Sequence, residues 1–419
     1  MAEKSPEELY KERRARIDDA AQLRIPDRVP VHMSFGYFPA RYYGISASAA
    51  FYETDKWLAA TKKTVADFAP DGIYYIYPAF PGKAMELLDP KAIKWPGHGV
   101  PEQYSHRAIE CEFLKHDEYD LILSDSSDFN LRTLMPRSVG AMEAFSELPP
   151  LSSLGAGYSG AILFAEALAR PDVSAALARL QEIGRLASEW RKNLPDFDEE
   201  IKALGVVVDK MRLMLAAAPF DQVSDYLRGM TGTMTDMYRQ PDKLIELMDR
   251  QLQETLKLIN STPKRDDNPI AWSALHRGSD GFMSLKDFEK FYWPGLKSVV
   301  EAVVERGIIP GLFFEGDWSQ RLEYLTELPK GRVVGHFDYT NIFRAKEVLK
   351  DHMCIMGNVP VTLLQTGSVQ DVKGYVKELI DVVGKDGGLI VCPGVVPDTG
   401  KPENIHAMID FTKEYGIYN

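Results

Sequence analysis

Cysteine is scarce in this chain: Cys111, Cys354 and Cys392 are the only three in 419 residues, they lie far apart, and no CxxC pair occurs. Such an odd, scattered set builds no disulfide framework and points to a reducing compartment. Long hydrophobic runs are missing as well, none approaching the ~18 residues that a membrane span requires. The opening stretch MAEKSPEELYKERRARIDDA is charged and lacks the apolar heart of a secretion signal, so a cytoplasmic location without membrane attachment is expected. Positive charge is not in excess either: 49 Lys and Arg stand against 61 Asp and Glu, for a net charge of -12. The only dense basic run is YKERRAR near the start, which argues against nucleic acid as a partner.

What the chain does have is apolar content, 45% of its residues, arranged as short runs alternating with longer helical patterns. That alternation is the mark of a parallel sheet with crossover helices. The candidate strands are Val29–Ser34, Gly72–Tyr77, Leu121–Leu123, Ile270–Leu275, Ile308–Phe314, Val333–Phe337, Cys354–Met356 and Leu389–Cys392. Their number suits a closed (β/α)8 TIM barrel, an α/β fold forming a single domain over 1–419. Residues 1–27 form an N-terminal helical extension, and about 170–218 a helical insertion whose apolar stripe Val206–Leu215 reads as core. Helix ends are legible. Ser284, with Asp287 three residues on, caps a helix that stops at Gly307; Pro241–Ile259 carries Leu and Met on one face; TGS precedes a helix at Val369–Val383.

In such a barrel the working residues sit at the C-terminal ends of strands. Glu315 ends one strand, His336 lies near the end of the next, and Cys392 closes the last. A carboxylate, an imidazole and a thiolate are competent zinc ligands, and three protein ligands with an open position describe a catalytic zinc site. Asp317 could hold a ligand in place or accept a proton, and His276, at another strand end, could touch substrate. Against this stand simpler readings: Glu315 and Asp317 as solvated or ion-paired carboxylates, His336 as a hydrogen-bonded core histidine, Cys392 as an apolar filler. His32, His98, His106, His116, His352 and His406 read as surface or structural. Aromatic residues crowd two early strand ends, MSFGYFPARYYG and GIYYIYPAF, where Phe35, Tyr37, Tyr75 and Tyr77 could line a pocket for a planar substrate or simply pack helices on strands.

Several stretches, IPDRVPV, HRGSDGFMS, FEKFYWPGLK, GNVPVTLLQTGSVQDV and GGLIVCPGVVPDTGKPENIHAMIDFTKEYG, resemble the uroporphyrinogen decarboxylase superfamily over nearly the whole chain. That superfamily includes the decarboxylase and zinc-dependent methyltransferases that work with corrinoid proteins, all on a (β/α)8 barrel. The decarboxylase pattern implies an arginine-rich segment after the first strand, where MSFGYFPARYYG keeps only Arg41. The His-x-Cys and late Cys of the branch acting on coenzyme M-type acceptors are replaced here by Phe313, Glu315 and Val395. The aryl methyl ether O-demethylase branch, with a motif similar to Glu-x14-Glu-x20-His, fits Glu315 and His336, since 336 minus 315 is 21. Its first glutamate falls near Glu301, one residue out of step, on a helix expected outside the barrel; Cys392 is the alternative third ligand.

The resemblance thus implies a zinc-dependent methyltransferase component of an O-demethylase system. It would move a methyl group from a methoxylated aromatic to the Co(I) corrinoid, or cobalamin, of a partner protein. A quaternary amine or thiol as donor, a decarboxylase-like lyase, and a non-catalytic binding barrel are the alternatives. The ring pattern of the substrate and the oligomeric state, a homodimer included, stay open.

Overall fold

The computed structural model describes residues 4–74, 79–155, 157–209 and 217–418. Eight parallel strands form the barrel: β1 (His32–Met33), β2 (Gly72–Tyr74), β3 (Val207–Asp209), β4 (Ile270–Leu275), β5 (Ile309–Phe314), β6 (Val334–Phe337), β7 (Cys354–Met356) and β8 (Leu389–Ile390). Ladders join β1 to β2 and β2 to β3, and run without a break from β4 through β8. The ring closes where Val31 bridges Val391, with His32 N donating to the Val391 carbonyl at 3.0 Å. β3 packs beside β4.

Seven of the expected strands take part; Ile270–Leu275 and Cys354–Met356 have the expected bounds, and residues 75–77 of the expected Gly72–Tyr77 lie outside the described residues. The eighth does not: Leu121–Leu123 lies inside the helix Tyr119–Ser124, where Ile122 is buried and Leu121 is exposed. Three apolar residues in a row are too short a run to distinguish strand from helix. The missing strand is β3, from a stretch assigned to the helical insertion. Gly205, at φ +74, turns the chain into the β-branched run Val206–Val208, and Val207–Asp209 pairs with Gly72–Tyr74. The insertion is also earlier and longer than expected. It lies between β2 and β3 and includes the helices Gly82–Leu88, Tyr158–Leu168 and Pro171–Asn193 with a small three-stranded patch at 93–108.

Alternation along each strand sorts the two cores. Outward residues such as Leu312, Phe314, Phe337 and Ile355 join the large helix-packed core. Inward residues, among them Tyr74, Val207, Trp272, Ile309, Val334, Cys354, Ile390 and Cys392, fill the barrel. Gly311 in β5 leaves the space that the Trp272 ring occupies; a Cβ there would come within 2.5 Å of it. The N-terminal helix Pro6–Ala21, started by a Ser5–Glu8 capping box, packs Ile17, Ala20 and Ala21 onto this inner cluster. Arg16 and Arg28 then clamp buried Asp71 at 2.7 Å each. Among the described residues no helix is long and apolar enough to cross a membrane.

Candidate active site at the barrel mouth

Strand register decides which strand-end residues meet. Phe313 of β5 pairs with His336 of β6, so Glu315 and Asp338, each two residues further on, stand at one level above that pair. His276 continues the inward face of β4 in the same way, after Ile270, Trp272 and Ala274. The mouth therefore carries His276, Glu315 and Asp338. The Nε2 of His276 is 3.9 Å from a Glu315 carboxylate oxygen. Asp338 accepts the Gly316 N–H at 3.2 Å, and burial, reinforced by the charge of Glu315, pushes it up to about 6.

His276 is braced from outside the barrel by the helical segment that begins at Pro219. Its Nδ1 lies 2.6 Å from Asp225, whose other carboxylate oxygen takes Arg277 at 3.0 Å. Asp221, buried one turn earlier, accepts the backbone N–H groups of both His276 and Arg277 at 3.0 Å and the Tyr292 hydroxyl at 2.7 Å. Burial pulls the imidazole down, but the hydrogen bond and charge of Asp225, with Asp221 and Glu315 behind it, outweigh that and raise it to about 8. Burial also raises Asp221 to about 6, with the charge of Asp225 adding to it. Sequence reasoning found His276 but missed Asp221, Asp225 and Asp338. For Asp338 a signal was available: it stands two residues after His336, on the same face of the strand.

The expected zinc set does not come together. His336 and Cys392 meet inside the barrel, Sγ 3.3 Å from Nε2. Glu315 stands one inward position higher, a step of roughly 6.6 Å along a strand, with the Phe313 ring 4.8 Å from the imidazole below it. The donor chemistry also disagrees. His336 Nε2 donates to the Pro393 carbonyl at 3.0 Å while Nδ1 faces the Tyr74 hydroxyl at 3.4 Å. Burial holds that imidazole down at about 4 and lifts the Cys392 thiol well above its ordinary range. Among the described residues no three His, Cys, Asp or Glu side chains group as a metal site. Glu301, the alternative third ligand, is exposed on the outer helix Trp293–Glu305.

The remaining candidates separate by face. The Asp317 carboxylate is engaged within its own loop, taking Ser319 N at 2.9 Å and its hydroxyl at 2.5 Å. Phe35 points outward and packs on Phe38 and Phe68, a core role. Tyr37 is buried against Trp57, its hydroxyl 2.8 Å from His106 and its N–H donated to Asp398. Asp398 also receives Ser105, so the loop after β8 binds both the loop after β1 and the insertion. Tyr75 and Tyr77 lie outside the described residues. Of the histidines read as surface or structural, His32 is wholly buried in the barrel, 2.9 Å from Asp209.

The arginines on the loops after β4 and β5 are already committed. Arg277 binds Asp225 and the Ser224 hydroxyl and stacks on Phe282; Arg321, buried, binds Asp280 and the Met283 carbonyl. Among the described residues, the ends of β4, β5 and β6 thus carry two carboxylates and one imidazole.

A sequence model of the uroporphyrinogen decarboxylase (URO-D) family matches residues 161–415. The chain is 26% identical over 176 residues to a uroporphyrinogen decarboxylase of Geobacter sulfurreducens, covering 42% of this chain and 50% of that protein. The corresponding enzyme of Syntrophotalea carbinolica is 23% identical over 176 residues, covering 42% and 49%. The chain thus spans about half the length of the curated relatives it matches. A methyltransferase from Methanosarcina mazei has the same fold, with a TM-score of 0.58 at 14% identity over 96% of this chain and 98% of that one.

Proposed function

Because the chain belongs to the uroporphyrinogen decarboxylase family, we propose that it is the branch of that barrel which moves methyl groups. Its donor is a methoxylated aromatic compound, and its acceptor the Co(I) corrinoid of a partner protein. The observation that carries this reading is the charge of the mouth. A tetrapyrrole bearing many carboxylates needs free cations to hold it, whereas among the described residues at the ends of β4 to β6 stand Glu315 and Asp338, and Arg277 and Arg321 on the loops after β4 and β5 are neutralised. Each pair of like charges about 5 Å apart costs roughly 3 kcal/mol at an effective dielectric of 20. Several such pairs outweigh what stacking on an aromatic ring returns, about 0.5–1.5 kcal/mol.

A neutral donor avoids that repulsion. The half-buried Phe313 ring beneath the carboxylates offers a planar donor a face to lie on, and the exposure of His276 and Glu315 above it suits an acceptor that arrives on another protein. Glu315, His336 and Cys392 do not fit one zinc ion. The chain's own residues have defined tasks: Phe313 orients the ring, and His276 and Glu315 meet the oxygen side of the donor.

The second reading, decarboxylation of a tetrapyrrole, rests on the curated relatives. Incubating purified protein with uroporphyrinogen, and separately with reduced cobalamin and a panel of methoxyarenes, tests both. Methylcobalamin absorbance with methoxyarenes and no loss of carboxyl groups from the tetrapyrrole is expected; the converse would establish the decarboxylase.

A further inference from the structure

Resting on that methyl-transfer reading, we propose that His276 is the acid that gives a proton to the departing oxygen, with Asp225 and Asp221 as its positioning residues. The donors are then methyl ethers whose leaving group needs a proton, and not ammonium or sulfonium compounds.

The geometry is that of an imidazole built to point one nitrogen at the mouth. Nδ1–H donates to Asp225 at 2.6 Å, which fixes the ring and leaves Nε2 facing Glu315. Arg277 forms an ion pair with the other oxygen of Asp225 at 3.0 Å, which favours the carboxylate's place beside the imidazole. Asp221 pins the backbone of both His276 and Arg277 and is itself held by Tyr292. Among the described residues, the charged groups around the ring are three carboxylates, Asp225, Asp221 and Glu315, against one guanidinium, Arg277. That surplus of negative charge keeps the imidazolium at neutral pH, with a value of about 8 despite burial. The ring is still 35% exposed, enough to reach a bound donor and to recover a proton from water.

The step balances. The electron pair of the Co(I) acceptor forms a bond to the methyl carbon as the carbon–oxygen bond breaks. The bonding pair stays on oxygen, which takes the Nε2 proton and leaves as a phenol; cobalt is formally oxidised by two electrons. His276 ends neutral and is reprotonated from solvent. Without the acid the leaving group is a phenolate, which is why proton delivery in the transition state matters, typically by 10²–10⁴-fold. A quaternary ammonium donor leaves as a neutral amine that needs no proton.

The test compares the full-length protein with His276→Gln and Asp225→Asn, using cob(I)alamin and a series of ring-substituted anisoles whose phenols span a range of acidity. For the unaltered protein, kcat/KM should vary weakly with phenol acidity and fall on the alkaline side above about pH 8. His276→Gln should lose about 100-fold or more on the least acidic phenols, with a steeper dependence on acidity. Asp225→Asn should shift the alkaline limb to lower pH. Circular dichroism and thermal melting establish that both variants are folded, and a ring-proton NMR titration of His276 reads its protonation apart from turnover. If ethers are turned over and His276→Gln keeps both rate and slope, the acid assignment is overturned while the methyl-transfer reading survives. If the unaltered protein transfers methyl from no ether, the parent reading falls and this inference with it.

Discussion

Replacing Asp225 by Asn keeps the size of the side chain and removes the charge that outweighs burial at His276. The imidazole, at about 8 in the native protein, should then fall to its ordinary 6.5 or below, because burial acts downward once its main partner is neutral. The difference between 6.5 and about 8 corresponds to at most about 2 kcal/mol of folding free energy. With 35% of the side chain exposed, water screens the pair, and about 1 kcal/mol is the better expectation. Since the native value lies above the unfolded one, this stabilisation is complete below pH 6.5 and is lost as pH rises through about 8. Urea unfolding near pH 6 should therefore show Asp225→Asn less stable by about 1 kcal/mol more than the same comparison near pH 9. An NMR titration of His276 follows the cause directly. A native value at or below 6.5, or a value unchanged in the variant, would refute the account of this pair.

Three further outcomes are expected. Asp71→Ala should cost about 3 kcal/mol in chemical denaturation, because buried Arg16, still paired with Asp27, and partly buried Arg28 would lose the carboxylate they share. Although burial opposes it, their charge holds Asp71 below its ordinary 3.8, so its contribution is complete above that pH and disappears only on further acidification. Cys392→Ser should cost about 1–3 kcal/mol, from a buried hydroxyl in place of a thiol, and leave bound metal unchanged by elemental analysis; loss of one zinc per chain would restore the Glu315, His336 and Cys392 set. Gly36→Ala should lower the melting temperature and methyl-transfer activity together. Gly36 sits at φ +51, and a Cβ there would run into Val396 and Asp398, the contact that joins the loops after β1 and β8.

Strands buried on both faces announce themselves, and β4 to β8 were legible because Ile270–Leu275 or Ile309–Phe314 is an apolar run bounded by helix stops and polar residues. β3 was not, since a run as short as Val206–Val208 also fits a buried helix; the turn at Gly205 and the β-branched side chains were the available signal. The site was legible residue by residue but not as a constellation. Glu315 and His276 were found as strand ends, yet grouping Glu315 with His336 ignored register, which sets His336 opposite Phe313 and raises Glu315 to the level of Asp338. Asp221 and Asp225 sit more than 50 residues before the histidine they hold, as the separations of 55 and 51 in their hydrogen bonds record. No local pattern connects residues so far apart. Tertiary packing alone brings them together.

The central claim is transfer of an intact methyl group from an aryl ether to a corrinoid, with the methyl–oxygen bond as the one that breaks. An anisole carrying ¹³C in its methyl group and ¹⁸O in its ether oxygen, incubated with the protein and cob(I)alamin, tests it by NMR of the cobalamin and mass spectrometry of the phenol. The account predicts ¹³C-methyl on cobalt in step with phenol that retains all its ¹⁸O. Phenol that has lost the label, or no labelled methyl on cobalt while phenol accumulates, would contradict it.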